Sequence, residues 1–365
     1  MKNHSIKLLS ILLGFALIFG ACSKESDTPG NNNNNTGGNN NNNNNNNNNQ
    51  DTVGQQMSYV SMDLTRHLAI YGNYAYVTRQ ERGFSVVDMT NIKSASLVKT
   101  IKDLSFGKAW RTFVHGDKLY VACKDDGVFI YSLSSPSNPT KLANYKHGNY
   151  VQNVFVDDQY MYLIGGSGTA DGYVSVHNKT DGSLIGVYIN GSSSGESERG
   201  FNSIWVSGNH IYAGTNKGYL HIIDKSNPSS LTLAAKYYNP GTAGHEPWLH
   251  GIYVTGNKAY LANWGAGTIA LDVTNPASPV ELGVFKDGTD GPNAYEVVVK
   301  DNIAYIANGW GGLTVADVTN PANMTLKFEV NISNHTYHDI ELFNNNYAVV
   351  TDNGLNQGLR IYKVK

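Results

Sequence analysis

Cysteine and charge are both scarce in this chain of 365 residues. There are two cysteines, Cys22 and Cys123, so no disulfide can form within one chain if either of them is modified. Charged residues make up 15 %, and 27 Lys and Arg against 29 Asp and Glu leave a net charge of -2. A nearly neutral chain has no electrostatic attraction for a polyanion, so we expect no nucleic-acid partner.

Motifs that hold phosphate or a catalytic zinc are also missing. Gly309-Trp310-Gly311-Gly312 lies between predicted strands, without the helix N-terminus that binds a phosphate. His245 and His250 flank Pro247, which is incompatible with the helical zinc-protease signature. We therefore predict no catalytic residues, no resident metal and no cofactor.

Glycine and tyrosine, in contrast, are abundant, with 38 and 23 copies. Few charges, many glycines and many aromatic residues suit strands and tight turns better than helices. The length would accommodate either a few average domains or one large all-β domain.

The first 22 residues have the pattern of an export signal. Two lysines precede the mainly apolar segment Leu8 to Phe19, which is too short to cross a bilayer as a helix but typical of a signal peptide. Gly20, Ala21 and Cys22 resemble a bacterial lipobox, in which the cysteine is acylated and becomes the new N-terminus. The resemblance implies lipidation at Cys22 and anchoring in a bacterial outer membrane, exposed at the cell surface. The alternative is an ordinary secretory peptide.

Residues 23–56 are predicted to form a disordered linker. Sixteen asparagines fall between Asn31 and Asn49, and such a tract has nothing to bury. As a flexible coil it would extend on the order of 30 Å. We expect it to hold a folded domain away from the membrane.

The remainder, 57–365, repeats one pattern: an apolar strand, a two-residue turn, a strand with a central tyrosine, a glycine and a third strand. The tyrosine position recurs about every 44 residues, and seven such units fill the segment. It is occupied by Tyr76, Tyr120, Tyr162, Tyr212, Tyr260, Tyr305 and, in the last unit, Val349. Cys123 lies in one of the apolar strand patterns and is expected to be buried.

Each unit contains four strand-like segments, which is typical of a β-propeller blade. In the sixth unit they are 296–299, 303–307, 313–318 and 326–330. The seventh unit supplies 339–343, 347–351 and 359–364 but no outer strand. We predict an all-β, seven-bladed propeller with four antiparallel strands per blade, closed by segment 57–62 as the fourth strand of the last blade.

These residues resemble the LVIVD-repeat family of bacterial and archaeal surface propellers. The resemblance rests on the tyrosine-containing strand and on Val315-Ala316-Asp317-Val318-Thr319-Asn320-Pro321, with a similar stretch ending at Pro276. The third and seventh units depart most from the pattern. The resemblance implies the propeller fold and a cell-surface setting, but no particular activity.

The two faces of the predicted propeller differ. One face, the turn face, carries the turns between the first and second strands and the Thr-Asn-Pro connections, whose Asp and Thr residues we expect to satisfy local backbone groups. The other, the loop face, carries the longer second-to-third loops and the connections between blades. Four of the five tryptophans map to the loop face, whereas Trp205 falls within an innermost strand and is expected to belong to the core.

Exposed aromatic side chains with arginine and histidine suit the recognition of sugar rings or peptide segments. We therefore predict a monomeric, non-catalytic binding protein for an extracellular glycan or protein. The candidate ligand-binding residues on the loop face are Trp110, Arg111, Trp248, His250, Trp264, Tyr295, Trp310, Tyr337 and His338.

Two alternatives stay open at this stage. One is an enzyme, a hydrolase or lyase acting on glycans, with its site at the channel mouth around Glu296 or Asp339. The other is a structural or adhesion protein. Histidines near Asp339 could also meet at the channel mouth and hold a divalent metal.

Overall fold

The computed structural model describes residues 51–103, 107–146, 150–166, 171–191, 200–242, 245–286 and 293–365. The predicted signal peptide, Cys22 and the linker as far as residue 50 lie outside these ranges. Within them the chain forms strands and two 3-10 helices, Ile92–Ser94 and Pro321–Asn323. Neither helix is long or apolar enough to cross a membrane.

The described ranges contain 28 strands. In chain order they are β1 (Gln56–Ser61); β2 (Leu68–Tyr71), β3 (Tyr74–Thr78), β4 (Phe84–Asp88), β5 (Ser96–Ile101); β6 (Arg111–His115), β7 (Lys118–Ala122), β8 (Val128–Ser132), β9 (Thr140–Tyr145); β10 (Val151–Val156), β11 (Tyr160–Gly165), β12 (Gly172–Asn178), β13 (Leu184–Asn190); β14 (Phe201–Ser207), β15 (His210–Thr215), β16 (Tyr219–Asp224), β17 (Thr232–Tyr238); β18 (Leu249–Thr255), β19 (Lys258–Asn263), β20 (Gly267–Asp272), β21 (Val280–Phe285); β22 (Glu296–Lys300), β23 (Ile303–Ala307), β24 (Leu313–Asp317), β25 (Thr325–Val330); and β26 (Tyr337–Phe343), β27 (Tyr347–Asp352), β28 (Gly358–Lys363).

These strands form seven antiparallel sheets of four strands each, which confirms the predicted propeller. Six sheets use consecutive strands, beginning with β2, β6, β10, β14, β18 and β22; we number them blades one to six. Blade seven has the order β1-β28-β27-β26, so the N-terminal strand is its outer strand. The predicted closure is therefore confirmed, with β1 starting one residue earlier than expected.

Seven hydrophobic clusters join the blades, and each contains residues of two adjacent blades. Tyr76 of blade one, for example, packs with Leu119 and Val121 of blade two. The cluster that closes the ring combines Val77 of blade one with Val349 of blade seven. Because every blade shares an apolar cluster with both neighbours, the ring has no exposed end, and Cys123 is buried in one of these clusters as expected.

In six blades the turn between the first and second strands has the positive φ angles that its residues predict. Gly72, Gly116, Gly208 and Gly256 have positive φ, as do the residue pairs at 301–302 and 344–345. Blade three differs, because the turn after β10 uses no positive φ at Asp157. There the Asp157 carboxylate accepts hydrogen bonds from the backbone N–H groups of residues 159 and 160, at 2.8 and 2.7 Å.

The aspartates of the Thr-Asn-Pro connections serve the local backbone, as predicted. Oδ1 of Asp272 accepts from the backbone N–H of Thr274 at 2.8 Å, and Oδ1 of Asp317 accepts from that of Thr319 at 2.9 Å. The repeated motif of the turn face is thus explained by backbone hydrogen bonding.

Candidate functional site

Seven side chains, one from each blade, form an upper tier around the mouth of the central channel on the loop face. In four blades the residue is the extra one of a β-bulge at the start of the innermost strand, a device that redirects a side chain. In the other three it stands just before the regular ladder of the innermost strand. In blade order the upper tier consists of Arg66, Trp110, Gln152, Asn202, His250, Tyr295 and His338, which together line a cavity of about 330 Å³.

One half of this mouth is aromatic. The Tyr295 ring stacks on His338 with centroids 4.3 Å apart, and it lies 4.6 Å from His250. Trp248 and Trp264 extend the group, with 5.2 Å between their ring centroids and 6.5 Å from Trp264 to Tyr295. These rings come from blades five to seven and offer an apolar face on which a flat group can stack.

The opposite half of the mouth is cationic. The Arg66 guanidinium lies 4.0 Å from the Trp110 ring centroid, and Nζ of Lys124 lies 3.4 Å from the same centroid. Lys124 also donates hydrogen bonds to the Tyr150 hydroxyl and to Oε1 of Gln152. Neither cation has a carboxylate within salt-bridge distance among the described residues. Nη1 of Arg66 donates instead to a histidine nitrogen of the upper tier.

Lys124 is held in a strained position. Its φ is +50°, and two backbone hydrogen bonds to Val151 of the next blade fix it there. Burial, followed by the nearby Arg66, lowers the pKa of Lys124 to about 7. Burial, followed by Arg111, lowers the pKa of Arg66 to about 10. Arg66 therefore keeps its charge at neutral pH, whereas Lys124 is close to half-protonated at pH 7.

His250 contributes an unused hydrogen-bond donor. Nδ2 of Asn202 donates to Nδ1 of His250 at 3.0 Å, so that the proton of the neutral ring resides on Nε2. Burial, followed by Arg111, lowers the pKa of His250 to about 3, which keeps the ring neutral. Its Nε2 atom is buried and has no partner in the part of the chain that the structure describes.

A middle tier of ionisable groups lies below the mouth. Nη1 of Arg111 donates to Glu296 at 2.8 Å, and its Nη2 donates to the backbone oxygen of His250 at 2.8 Å. His67 lies 3.4 Å from Asp339, whose carboxylate also accepts the backbone N–H of Leu68 at 2.5 Å. His67 and Arg111 line both the upper mouth and a second cavity further down the channel, and therefore form the boundary between them.

The middle tier contains the one possible metal-binding group found among the described residues. Ligand atoms of His67, Glu296 and Asp339 lie within 4.8 Å of one another. Burial raises the pKa of both carboxyls, most strongly for Asp339, which also faces Glu296. Because Glu296 is already paired with Arg111, a cation placed here would have to displace or oppose the guanidinium.

The structure places the candidate residues named from the sequence in four different environments. Most lie together at the mouth, but Arg111 is engaged in the middle tier rather than free to orient a ligand. The Trp310 side chain is 61 % exposed and lies in a separate depression beside His335. Tyr337 is fully buried, and its hydroxyl hydrogen-bonds that of Tyr362 at 2.5 Å. Those brought together are Trp110, Trp248, His250, Trp264, Tyr295 and His338.

Sequence reasoning missed Arg66 and Lys124. Arg66 was detectable, because it holds the same register position in blade one as Trp110 and Tyr295 hold in theirs. Lys124 carries no such signal, since only the backbone pairing with the next blade brings it to the mouth. Trp205 meets its expectation in part: it packs against the hydrophobic cluster that joins blades four and five, but its side chain is partly exposed and lines the lower channel.

Comparison with known proteins identifies the repeats. The family model described as "LVIVD repeat" matches residues 64–103, 106–147, 199–239, 250–287 and 291–332, more than half of the chain. The unmatched stretches contain blades three and seven, the two that depart most from the motif. No curated protein sequence matches the chain significantly.

Solved structures support the fold at low sequence identity. A chain of a mitotic checkpoint complex is similar with a TM-score of 0.64 and 13 % identity, covering 97 % of this chain and 99 % of its own. The computationally designed Ika8 protein is similar with a TM-score of 0.58 and 12 % identity, covering 85 % of this chain and 100 % of its own. At such identities the similarity is one of architecture.

Proposed function

Because the chain belongs to the LVIVD-repeat family and forms a seven-bladed propeller, we propose that it is a binding protein whose upper mouth holds an anionic group of an extracellular glycan or protein. The ligand is bound without chemical conversion. The aromatic half of the mouth, around Trp264 and Tyr295, supports the sugar ring or peptide side chain that carries the anion.

The observation that carries this proposal is the pair of cations on Trp110. A buried charge is costly unless it is paired and hydrogen-bonded. Arg66 and Lys124 both lack a carboxylate partner in the described ranges, and Arg66 lines the cavity of the mouth together with His250, whose buried Nε2 atom has no hydrogen-bond partner there. A carboxylate or sulfate bound in the mouth would supply the counter-charge that Arg66 lacks, whereas a neutral ligand would leave Arg66 unpaired.

The setting that we propose is the outer surface of a bacterium. The lipobox-like Gly20-Ala21-Cys22 and the asparagine-rich linker would anchor the propeller by lipid and hold it clear of the membrane. A tethered binding protein benefits from such a linker, because the mouth can then reach a polymer or another surface protein.

Binding to paired ligands tests this function. The full chain is screened against oligomers of galacturonic acid and of galactose of equal length, and against peptides rich in glutamate or in glutamine. We expect retention of an acidic member and weak retention of its neutral counterpart, with an affinity that falls as salt increases. Equal retention of acidic and neutral members, or no retention of either, would contradict the proposal.

A second candidate function is an enzyme that uses the carboxyl pair of the middle tier. Glu296 is held beside Arg111, while burial raises the pKa of Asp339, so the two carboxyls could differ in protonation as acid–base pairs do. Every ligand retained in the screen is incubated with the protein, and products are sought by mass spectrometry. Product formation that is lost in Asp339→Asn favours the enzyme; intact ligands after prolonged incubation exclude it.

A further inference from the structure

A second cavity of about 340 Å³ occupies the lower channel, on the turn-face side of the middle tier. Its wall is formed by a lower tier of one residue per blade. Each stands two positions further along the innermost strand than the residue at the level of the middle tier, as Phe113 follows Arg111. Each of the seven is the direct cross-strand partner of the residue at the repeated tyrosine position in the second strand of its blade. In blade order they are Ala69, Phe113, Phe155, Trp205, Tyr253, Val298 and Glu341.

Four consecutive blades supply an arc of aromatic rings to this tier. The centroids of Phe113 and Phe155 are 4.6 Å apart, those of Phe155 and Trp205 are 5.6 Å apart, and those of Trp205 and Tyr253 are 4.6 Å apart. All four side chains are partly exposed, although they lie within the ring of blades. Aromatic side chains in contact with one another and open to a cavity form a surface that a ligand can occupy.

The remaining blades close the ring with two small apolar residues and Glu341. No salt bridge or side-chain hydrogen bond to Glu341 occurs within the described ranges; the backbone N–H of Leu342 is its one hydrogen-bonding neighbour. Burial, and then the charge of Glu296, raises the pKa of Glu341 to about 8. Glu341 and Tyr253 line the same cavity, and burial, followed by the charge of Glu341, raises the pKa of Tyr253.

The ionisable groups of this cavity are mainly acidic, in contrast to those of the upper mouth. Glu296, Asp339 and Glu341 line it, against Arg111 as the one permanent cation. A cation finds carboxyls at one side and ring faces at the other, and Glu341, whose pKa is about 8, gives up its proton when a cation pairs with it.

We propose that the lower cavity binds a small organic cation with an alkylated ammonium group, held against the arc from Phe113 to Tyr253 and paired with Glu341. The negative faces of aromatic rings attract a diffuse positive charge, and tryptophan is the strongest of them. An alkylated ammonium has few or no N–H groups, which matches a wall of ring faces in which Glu341 is the one carboxyl without a salt bridge or side-chain hydrogen bond among the described residues. This site is independent of the proposed upper-mouth function, because its ligand has the opposite charge.

The test compares choline with 3,3-dimethylbutan-1-ol, a neutral molecule of the same shape, by titration calorimetry on the full chain. Choline should bind at least roughly tenfold more tightly than the neutral alcohol, because only choline gains the ring and carboxylate attraction. Similar affinities for the two, or no heat with choline at millimolar concentration, would overturn the proposal.

Two variants locate the site. Trp205→Leu and Glu341→Gln should each weaken choline binding by roughly tenfold, while Tyr238→Leu, which alters an exposed aromatic residue on the outer strand of the same blade as Trp205, should leave it unchanged. Glu341→Gln replaces a carboxyl that is mostly protonated at neutral pH by a neutral amide of similar size and is expected to fold, so the test stands even if Trp205→Leu proves unstable. Unaltered choline affinity in Glu341→Gln would place the cation elsewhere and refute the site.

Discussion

The guanidinium of Arg360 lies 4.2 Å from the ring centroid of Tyr59, although the two residues come from opposite ends of the described chain. They are direct partners in the antiparallel ladder between β1 and β28. Arg360 also donates to the side chain of Gln56 at 3.1 Å. The closure of the ring thus combines backbone pairing with side-chain contacts across the junction.

Deletion of β1, residues 56–61, should lower the melting temperature by roughly 10 °C or more. It exposes the edge of β28 and removes Met57 and Val60 from the cluster that joins blades seven and one. Circular dichroism melting of the full chain measures the effect. Deletion of six asparagines, 39–44, is the control and should leave the melting temperature unchanged. If the protein without β1 melted at the same temperature as the full chain, the closure would contribute little to stability.

Asp352→Asn should lower the free energy of unfolding by about 3 kcal/mol. The buried Asp352 carboxylate accepts hydrogen bonds from Nε of Arg360 at 2.9 Å and from His335, so its neutralisation leaves a buried guanidinium without its counter-ion. Chemical denaturation measures the loss. Asp301→Asn, which removes an exposed ion pair with Lys365, should change the free energy of unfolding far less, because solvent screens this pair. Similar effects of the two changes would mean that burial does not strengthen the Asp352 pair.

Arg66→Met should weaken the binding of an acidic ligand by roughly tenfold to a hundredfold, since it removes a charge-assisted hydrogen bond in a desolvated mouth. The salt dependence of the remaining affinity should also decrease. Lys300→Met removes a cation from the end of β22 on the turn face and serves as the control for net charge. Equal losses in the two variants would mean that binding depends on overall charge and not on the mouth.

Trp264→Ala and Trp310→Ala should affect ligands of different length. Trp264 belongs to the aromatic half of the mouth, so its loss weakens the binding of short and long acidic ligands alike. Trp310 is exposed in a separate depression, where only a polymer that extends beyond the mouth would reach it. Affinity measurements with a short oligomer and with the polymer separate the two roles. A Trp310 variant that binds both normally would remove this residue from the binding surface.

Glu341→Gln should stabilise the protein increasingly as the pH rises from about 5 to about 8. A carboxyl with a raised pKa binds a proton in the folded state and loses it in the unfolded state throughout this interval, so wild-type stability falls by up to about 1.4 kcal/mol per pH unit relative to the variant.

The comparison between the two proteins, by denaturation at each pH, is needed because Glu296, Asp339, His67 and Arg111 also face this cavity and are present in both. A constant difference in stability across the pH range would mean that the pKa of Glu341 is not raised.

Local sequence predicted the architecture because the signals of a blade are short-range. The turn at Gly72 and the Asp317 connection are each specified within a few residues, and the recurrence of the tyrosine position sets the number of blades. The closure by β1 was predictable for a related reason: the last repeat lacked one strand, and an unassigned strand preceded the first.

The channel was less predictable, because its partners come from different blades. The sequence assigned Arg111 to the ligand, yet the fold pairs it with Glu296 of blade six. The residue type of Tyr337 does not distinguish it from a tyrosine exposed on the loop face, and only its packing against Tyr362 shows that it is buried. Register shifts at the bulges, which a sequence does not record, decide which side chains enter the mouth.

By itself the sequence determined the repeat, the strands, the turns and the number of blades, because each depends on residues adjacent in the chain. The closed ring alone decided that cations gather on Trp110 at one end of the channel and that aromatic rings face Glu341 at the other. Each blade contributes only a few of these charged and aromatic side chains, and they come close to one another only when the blades surround the same axis. Burial in the channel then determines their pKa values and their pairing.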